Sequence, residues 1–374
     1  TPTRTAAPHL LLAALGAALA AAPLAAQEPT PLEPGETVSG TLATGDTARY
    51  AVEAGEDFFV RGVVDQQTVD VVVRILLPDG SLRTQFDMPA RGAERFQFET
   101  GDDPGPWTVQ VAPFEDEEGA YAITLERLEP LAEDPKELAD QLLSAWDRED
   151  GPGAAVRVWR DGEELYTRAV GMANLAYGIP FEPDTPTNIG STSKQFTAFA
   201  VQLLAERGEL SLDDPVVEHL PELRSFEDTV RVRHLLTHTS GYREIYNLLT
   251  MAGRRFDQGD FVDREEILAV VRDQPALQNE PGAEWNYNNT AFALAAMTVE
   301  RVSGMPFHEF MEENVFEPLG MDGTQVRPDP QAIVEGRSMG YAPDDDGGWR
   351  EIRDLGGAVG AGAIYATVED LERW

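Results

Sequence analysis

Hydrophobic positions recur along this chain with two different periods, and the change of period divides it. Across residues 35–128 apolar and polar residues alternate, interrupted by Gly, Pro or Asp at roughly every 8–12 residues, the rhythm of short strands and turns. "WTVQVAP" places Trp107, Val109 and Val111 on one face, and "YAITLER" does the same with Tyr121, Ile123 and Leu125. "VDVVVRILLPDG" reads as a more buried strand closed by a Pro-Asp-Gly turn. About eight such strands predict an all-β antiparallel sandwich.

"RLEPLAEDPKE", residues 127–137, combines two prolines with mixed charge and reads as a boundary. A helix follows in "ELADQLLSAW", then "GAAVRVWRDGEELYTRAVG", two strands turning at Asp161-Gly162, a strong hairpin signal. From Asn188 onward the period is helical. The expected organisation is a leader over 1–27, a β-sandwich over 28–128, a linker over 129–137 and an α/β domain over 138–374.

One helix carries a misfit. In "NIGSTSKQFTAFAVQLLAERG", residues 188–208, Phe196, Phe199, Ala200, Leu203 and Leu204 recur at helical spacing and Gly208 marks the end. Ala198, Val201 and Ala205 fill the other side, so the helix is apolar around most of its circumference and central. Yet Lys194, one of only two lysines in the chain, stands in the first turn. A cation there opposes the helix dipole, and burying it unpaired is costly.

Charge changes the picture by exclusion. The chain of 374 residues has 66 acidic and 29 basic residues, a net charge of −37, which rules out general binding to a phosphate backbone. A strongly solvated surface is the plain reading. There is no cysteine, so thiol catalysis, zinc–thiolate sites and disulfides are excluded. "TPTRTAAPHLLLAALGAALAAAPLAAQ", residues 1–27, has a basic start, an apolar core and small residues before a cleavage point, the pattern of a secretory signal. A periplasmic or secreted protein with no stable membrane anchor after cleavage is expected, beginning upstream of the threonine that opens this sequence.

A serine three residues before a lysine lies on the same helix face one turn away. A hydroxyl becomes nucleophilic when a neighbour takes its proton, and a desolvated lysine can do so. Backbone N–H groups at the helix N-terminus can also stabilise a developing oxyanion. Ser191 and Lys194 fit that chemistry. In "PGAEWNYNNTAFALAAMTVERVSG", Tyr287 and Asn289 precede another apolar helix built on Phe292, Leu294, Ala295 and Val299. Beside a lysine, Tyr287 can shuttle a proton, while Asn289 offers both donor and acceptor to an amide or ester. Read in isolation, the same residues are an interfacial tyrosine and a helix-capping asparagine.

Together, "GMANLAYGIPFEPDTPTNIGSTSKQFTAFAVQLLAERGELSLDDPV", "VRVRHLLTHTSGY", "NEPGAEWNYNNTAFALAAMTVERVSGMPFHEFMEENVFEPLGMDGT" and "GGAVGAGAIYATVEDLERW" resemble the serine β-lactamase/penicillin-binding superfamily, in its class C-type branch. That branch includes β-lactamases, D-alanyl-D-alanine carboxypeptidases, D-aminopeptidases and esterases. The resemblance runs from about Pro135 to the last residue. It implies a five-stranded antiparallel sheet flanked by helices beside a helical subdomain. It also implies Ser191 as acylated nucleophile, Lys194 as its activating partner, Tyr287 as proton shuttle and Asn289 as substrate contact, with no metal or cofactor. The tyrosine motif reads Tyr-Asn-Asn where Tyr-Ser-Asn is usual. The superfamily's third motif, Lys-Thr-Gly or His-x-Gly, is missing, and its strand would follow "AIYATVEDLERW". The expectation is therefore a truncated product, weakly active by itself. The 35–128 segment is similar to prepeptidase C-terminal-like accessory domains, which implies an appended module without chemistry.

Rival motifs are weaker. "HLLTH" spaces His234 and His238 like a zinc pair, but Leu235 stands where the zincin glutamate belongs. No Gly-x-Ser-x-Gly elbow occurs, and "PDDDGGW" lacks calcium-loop spacing. A non-catalytic cell-wall or peptide binder that retains the fold is the alternative, although a binder has no use for an activated serine.

Overall fold

The computed structural model describes residues 28–88, 91–256, 259–344, 348–353 and 357–374. The expected leader lies outside the described residues.

The alternating segment forms nine strands: β1 (Thr30–Pro31), β2 (Thr37–Leu42), β3 (Ala48–Ala54), β4 (Phe58–Gln66), β5 (Val71–Leu76), β6 (Leu82–Phe86), β7 (Gly92–Glu99), β8 (Gly105–Pro113) and β9 (Gly119–Pro130). They build two facing sheets, ordered β1-β3-β8-β5-β6 and β2-β9-β4-β7. Every second residue turns inward, as the period of two requires: Val52, Ile75, Trp107 and Val109 from one sheet meet Val60, Val64, Phe96 and Ile123 from the other. One polar contact crosses this core, where the buried hydroxyls of Tyr50 on β3 and Tyr121 on β9 lie 2.6 Å apart and satisfy each other. β9 continues through Glu129 and Pro130, which pair with Phe59 and Phe58, so strand structure extends two residues into the stretch read as linker.

Asp134 then caps α1 (Pro135–Leu143) by accepting from the Lys136 and Glu137 amides. The helix is tied to the sandwich by Arg61, which donates to Ser144 Oγ at 2.7 Å just past its end. β10 (Ala154–Arg160) and β11 (Glu163–Val170) form the expected hairpin, with Asp161 and Gly162 at φ 54° and 78°, the left-handed pair a two-residue turn needs. The resemblance implies a five-stranded sheet here. Among the described residues β10 and β11 form a sheet of two, because no further strand pairs with either edge.

The rest is helical around one core. α2 (Ser193–Glu206) follows a 3₁₀ turn at Gly190–Thr192 and packs against the helix Asn289–Ser303, which is buried from Thr290 to Val299. Phe196, Ala200, Val201 and Leu204 of α2 are buried as expected. Phe199 is not: it is 42% exposed and meets the Trp374 ring edge-on, with centroids 5.2 Å apart. A three-stranded sheet, Thr187–Asn188 with Ile364–Ala366 and Gln325–Val326, carries the chain into the 3₁₀ turn. No helix of the described residues is long and apolar enough to cross a membrane.

Candidate active site

The first turn of α2 is held from outside the helix. Thr192, at its start, makes no side-chain cap. Instead Ile189 N–H donates to the Ile364 carbonyl at 3.0 Å, Ile364 N–H donates to Ser193 Oγ at 3.3 Å, and Thr197 Oγ1 donates to the Gly360 carbonyl at 2.7 Å. The segment that makes these bonds needs its glycine. Gly360 has φ +97°, and a Cβ there would stand 2.5 Å from Ala296 Cβ and 2.7 Å from the Phe292 carbonyl oxygen.

This clamp presents Ser191 at the surface and turns Lys194 inward, where it is 7% exposed. The ammonium is fully partnered: Nζ donates to the Ala361 carbonyl at 2.7 Å, Asn289 Oδ1 at 2.8 Å and Ser191 Oγ at 3.2 Å. It also lies 4.8 Å from the Tyr287 ring centre and 5.6 Å from that of Phe292, within cation–π range. Tyr287, 42% exposed, donates its hydroxyl to Ser191 Oγ at 2.6 Å. The four side chains singled out from the sequence thus meet in one place, with the serine oxygen touched by both the amine and the phenol.

Asn288 rather than Asn289 is the helix cap, since its Oδ1 accepts from Ala291 N–H at 2.7 Å and its Nδ2 donates to the Tyr242 carbonyl at 2.6 Å. Asn289, expected to face substrate, has its Oδ1 on Lys194 and an Nδ2 hydrogen on Glu244 at 2.9 Å. The His238 ring packs 4.7 Å from that of Tyr287, and its Nδ1 accepts from Asn288 N–H. Burial foremost, and then the Lys194 charge, pushes His238 below the ordinary imidazole value, with Glu244 opposing. His234 accepts from Arg231 N–H. No cluster of three or more acidic or histidine side chains able to hold a metal occurs among the described residues.

Sequence reasoning missed the Ala361 carbonyl and Glu244. A carbonyl has no sequence identity. Glu244 stands before the helix Ile245–Met251, where an acidic residue signals a cap and nothing more.

The beta-lactamase family model matches residues 136–374. The chain belongs to the beta-lactamase family. Among relatives of this family member, esterase EstB of Burkholderia gladioli is 40% identical over 183 residues, 45% of each chain. A D-aminopeptidase of Gluconobacter oxydans is 31% identical over 225 residues, 60% of this chain and 42% of the relative. A solved octameric penicillin-binding protein homologue from Pyrococcus abyssi superposes with TM-score 0.55 at 30% identity, over 63% of this chain and 54% of that one. A D-amino acid amidase from Ochrobactrum anthropi SV3 gives TM-score 0.51 at 25% identity, over 59% and 65%. The chain spans about half the length of the curated relatives it matches. The β-sandwich precedes the matched residues.

Proposed function

We propose that this chain is an exported, class C-type serine hydrolase that works by acyl transfer, with Ser191 as its nucleophile. The observation that carries the reading is the double hydrogen bond onto Ser191 Oγ, from Tyr287 Oη at 2.6 Å and Lys194 Nζ at 3.2 Å. In attack, the Tyr287–Lys194 pair enters the step carrying one proton fewer than the ammonium and phenol of the resting site, and it takes the Ser191 proton as Oγ bonds to the substrate carbonyl carbon. As the tetrahedral intermediate collapses, the bond to the leaving amine or alcohol breaks and Tyr287 returns the proton to it. Water then attacks the acyl-enzyme with the same groups, freeing the acid and restoring the serine. The substrate is an ester or amide, the range covered by relatives named esterase, D-aminopeptidase and beta-lactamase. The sandwich over 28–128 is an appended module without chemistry, and the hydrolase unit follows from 138.

A fluorophosphonate or fluorescent penicillin tests this. Ser191 should label and Ser191→Ala should not. Lys194→Arg should lose at least about 10²-fold in turnover of a chromogenic cephalosporin, a short-chain ester or a D-amino acid amide, because a guanidinium stays protonated. Absence of labelling in the wild type supports a binder that retains the fold.

A further inference from the structure

We propose that Glu244 is a positioning residue whose carboxylate sets the orientation of the Asn289 amide and thereby holds Lys194 against Ser191. The proposal rests on the reading of Lys194 as the partner of Ser191. Glu244 grips Asn289 twice: one oxygen accepts the Asn289 backbone N–H at 2.5 Å, the other accepts Nδ2–H at 2.9 Å. With Nδ2 engaged there, Oδ1 faces Lys194 Nζ at 2.8 Å. The reverse orientation would set an NH₂ group against an ammonium and a carbonyl oxygen against a carboxylate, so both contacts would be repulsive. A neutral amide at position 244 would lose this bias, since it can pair with either orientation of Asn289.

The consequence reaches the nucleophile. All three Lys194 hydrogens are committed, to Ser191 Oγ, Asn289 Oδ1 and the Ala361 carbonyl. If the Asn289 amide turned, Lys194 would trade an acceptor for a donor and be pushed from its place beside Ser191. Glu244 thus acts through Asn289 without touching substrate, and Asn289 serves the lysine. Capping is a further contact of the same oxygen, which accepts from Tyr246 N–H at 3.3 Å as well as from Nδ2–H, so the double-variant rescue and the Lys194 signal, rather than Glu244→Gln alone, separate the two roles.

The test is a rescue. Asn289→Asp places a carboxylate against Glu244 and should lower kcat by about 10²-fold; adding Glu244→Gln, whose amide can donate to the new carboxylate, should restore at least about tenfold of it. Glu244→Gln alone should reduce kcat by about tenfold with KM within about twofold. Because the chain has only two lysines, ¹³Cε-lysine labelling gives a second readout that needs no turnover. The Lys194 signal should move in Glu244→Gln and in Asn289→Asp and return toward its wild-type position in the double variant, while Lys136 stays fixed. A Lys194 signal and kcat indifferent to Glu244→Gln, or an Asn289→Asp defect that the second change does not relieve, overturns the proposal. Lysine signals that behave as expected in a protein showing neither labelling nor turnover would instead overturn the hydrolase reading and leave the positioning intact.

Discussion

Gly360→Ala tests whether the clamp on α2 is what assembles the site. The added Cβ would lie 2.5 Å from Ala296 Cβ, where two carbons need well over 3 Å, and 2.7 Å from the Phe292 carbonyl oxygen. Both obstacles belong to the buried helix Asn289–Ser303, so the 360 segment must be the part that moves. The φ of +97° costs an alanine about 1–2 kcal/mol, and overpacking a tight core adds about 1–3 kcal/mol. Taking about 3 kcal/mol as the sum, melting of the helical region should fall by roughly 6–12 °C in calorimetry. Moving this segment outward also draws the Gly360 and Ala361 carbonyls away from Thr197 and Lys194, so kcat should drop more than tenfold if, as proposed, Lys194 activates Ser191. A variant that melts within 2 °C of wild type, or that melts low but turns over normally, would refute the reasoning: ~2 °C is below the smallest shift the strain allows.

Asn288→Ala removes a cap from the Ala291 amide and orphans the buried Tyr242 carbonyl, so a loss of about 2–4 kcal/mol is expected by denaturant titration, of which Asn288→Asp should recover only the capping part. In the sandwich, burial pushes Glu94 from 4.5 up to about 7, with Asp87 and Asp70 adding to the rise and the Met88 amide opposing it. A carboxyl that holds its proton more tightly when folded favours the native state most below about 4.5, and the advantage is lost as pH rises through about 7. Melting of the sandwich should therefore decline from pH 5 to pH 8, and Glu94→Gln should flatten that slope, leaving the smaller contribution of Asp70, pushed up to about 6. Identical slopes in the two proteins would show that Glu94 is not the titrating group.

What was legible in the sequence was what is local. The sandwich announced itself because each strand buries alternate residues, and that pattern needs no knowledge of partners. β1 escaped because two residues, Thr30 and Pro31, are too few to show a period. Pro130 suggested a linker because proline donates no ladder bond, yet it closes β9 at its end opposite Phe58, where none is required. Ser191 and Lys194 were readable together since three residues along a helix fix their geometry. Tyr287 and Asn289 stood out by residue type ahead of an apolar helix, but only the motif resemblance tied them to Ser191, because nothing near them in the chain says which helix they face. Phe199 shows the limit of periodicity: it lies on the apolar side of α2, but that side extends past its cover and leaves the ring 42% exposed beside Trp374.

The misfit that Lys194 presents in the sequence resolves once its partners are counted. Its cost against the helix dipole is at most about 1 kcal/mol. Burial of the ammonium is the larger penalty, and it is tolerable only when hydrogen bonds replace water. Those bonds, worth about 1.5–3 kcal/mol each because the donor is charged, come from Ser191 in the preceding turn, from Asn289 at the start of a second helix and from Ala361 near the last strand. No single element supplies them, so the lysine is satisfied only after α2, the Asn289 helix and the 360–364 segment have docked. That same docking brings Tyr287 to Ser191. The segment itself carries strain, with Gly360 at φ +97° and Ala363 at φ 73°, and strain of this kind persists only where surrounding contacts over-determine the backbone. Here the contacts that do so include the ammonium's own bond to Ala361, so the residue that would destabilise an isolated helix helps to hold the turn that accommodates it.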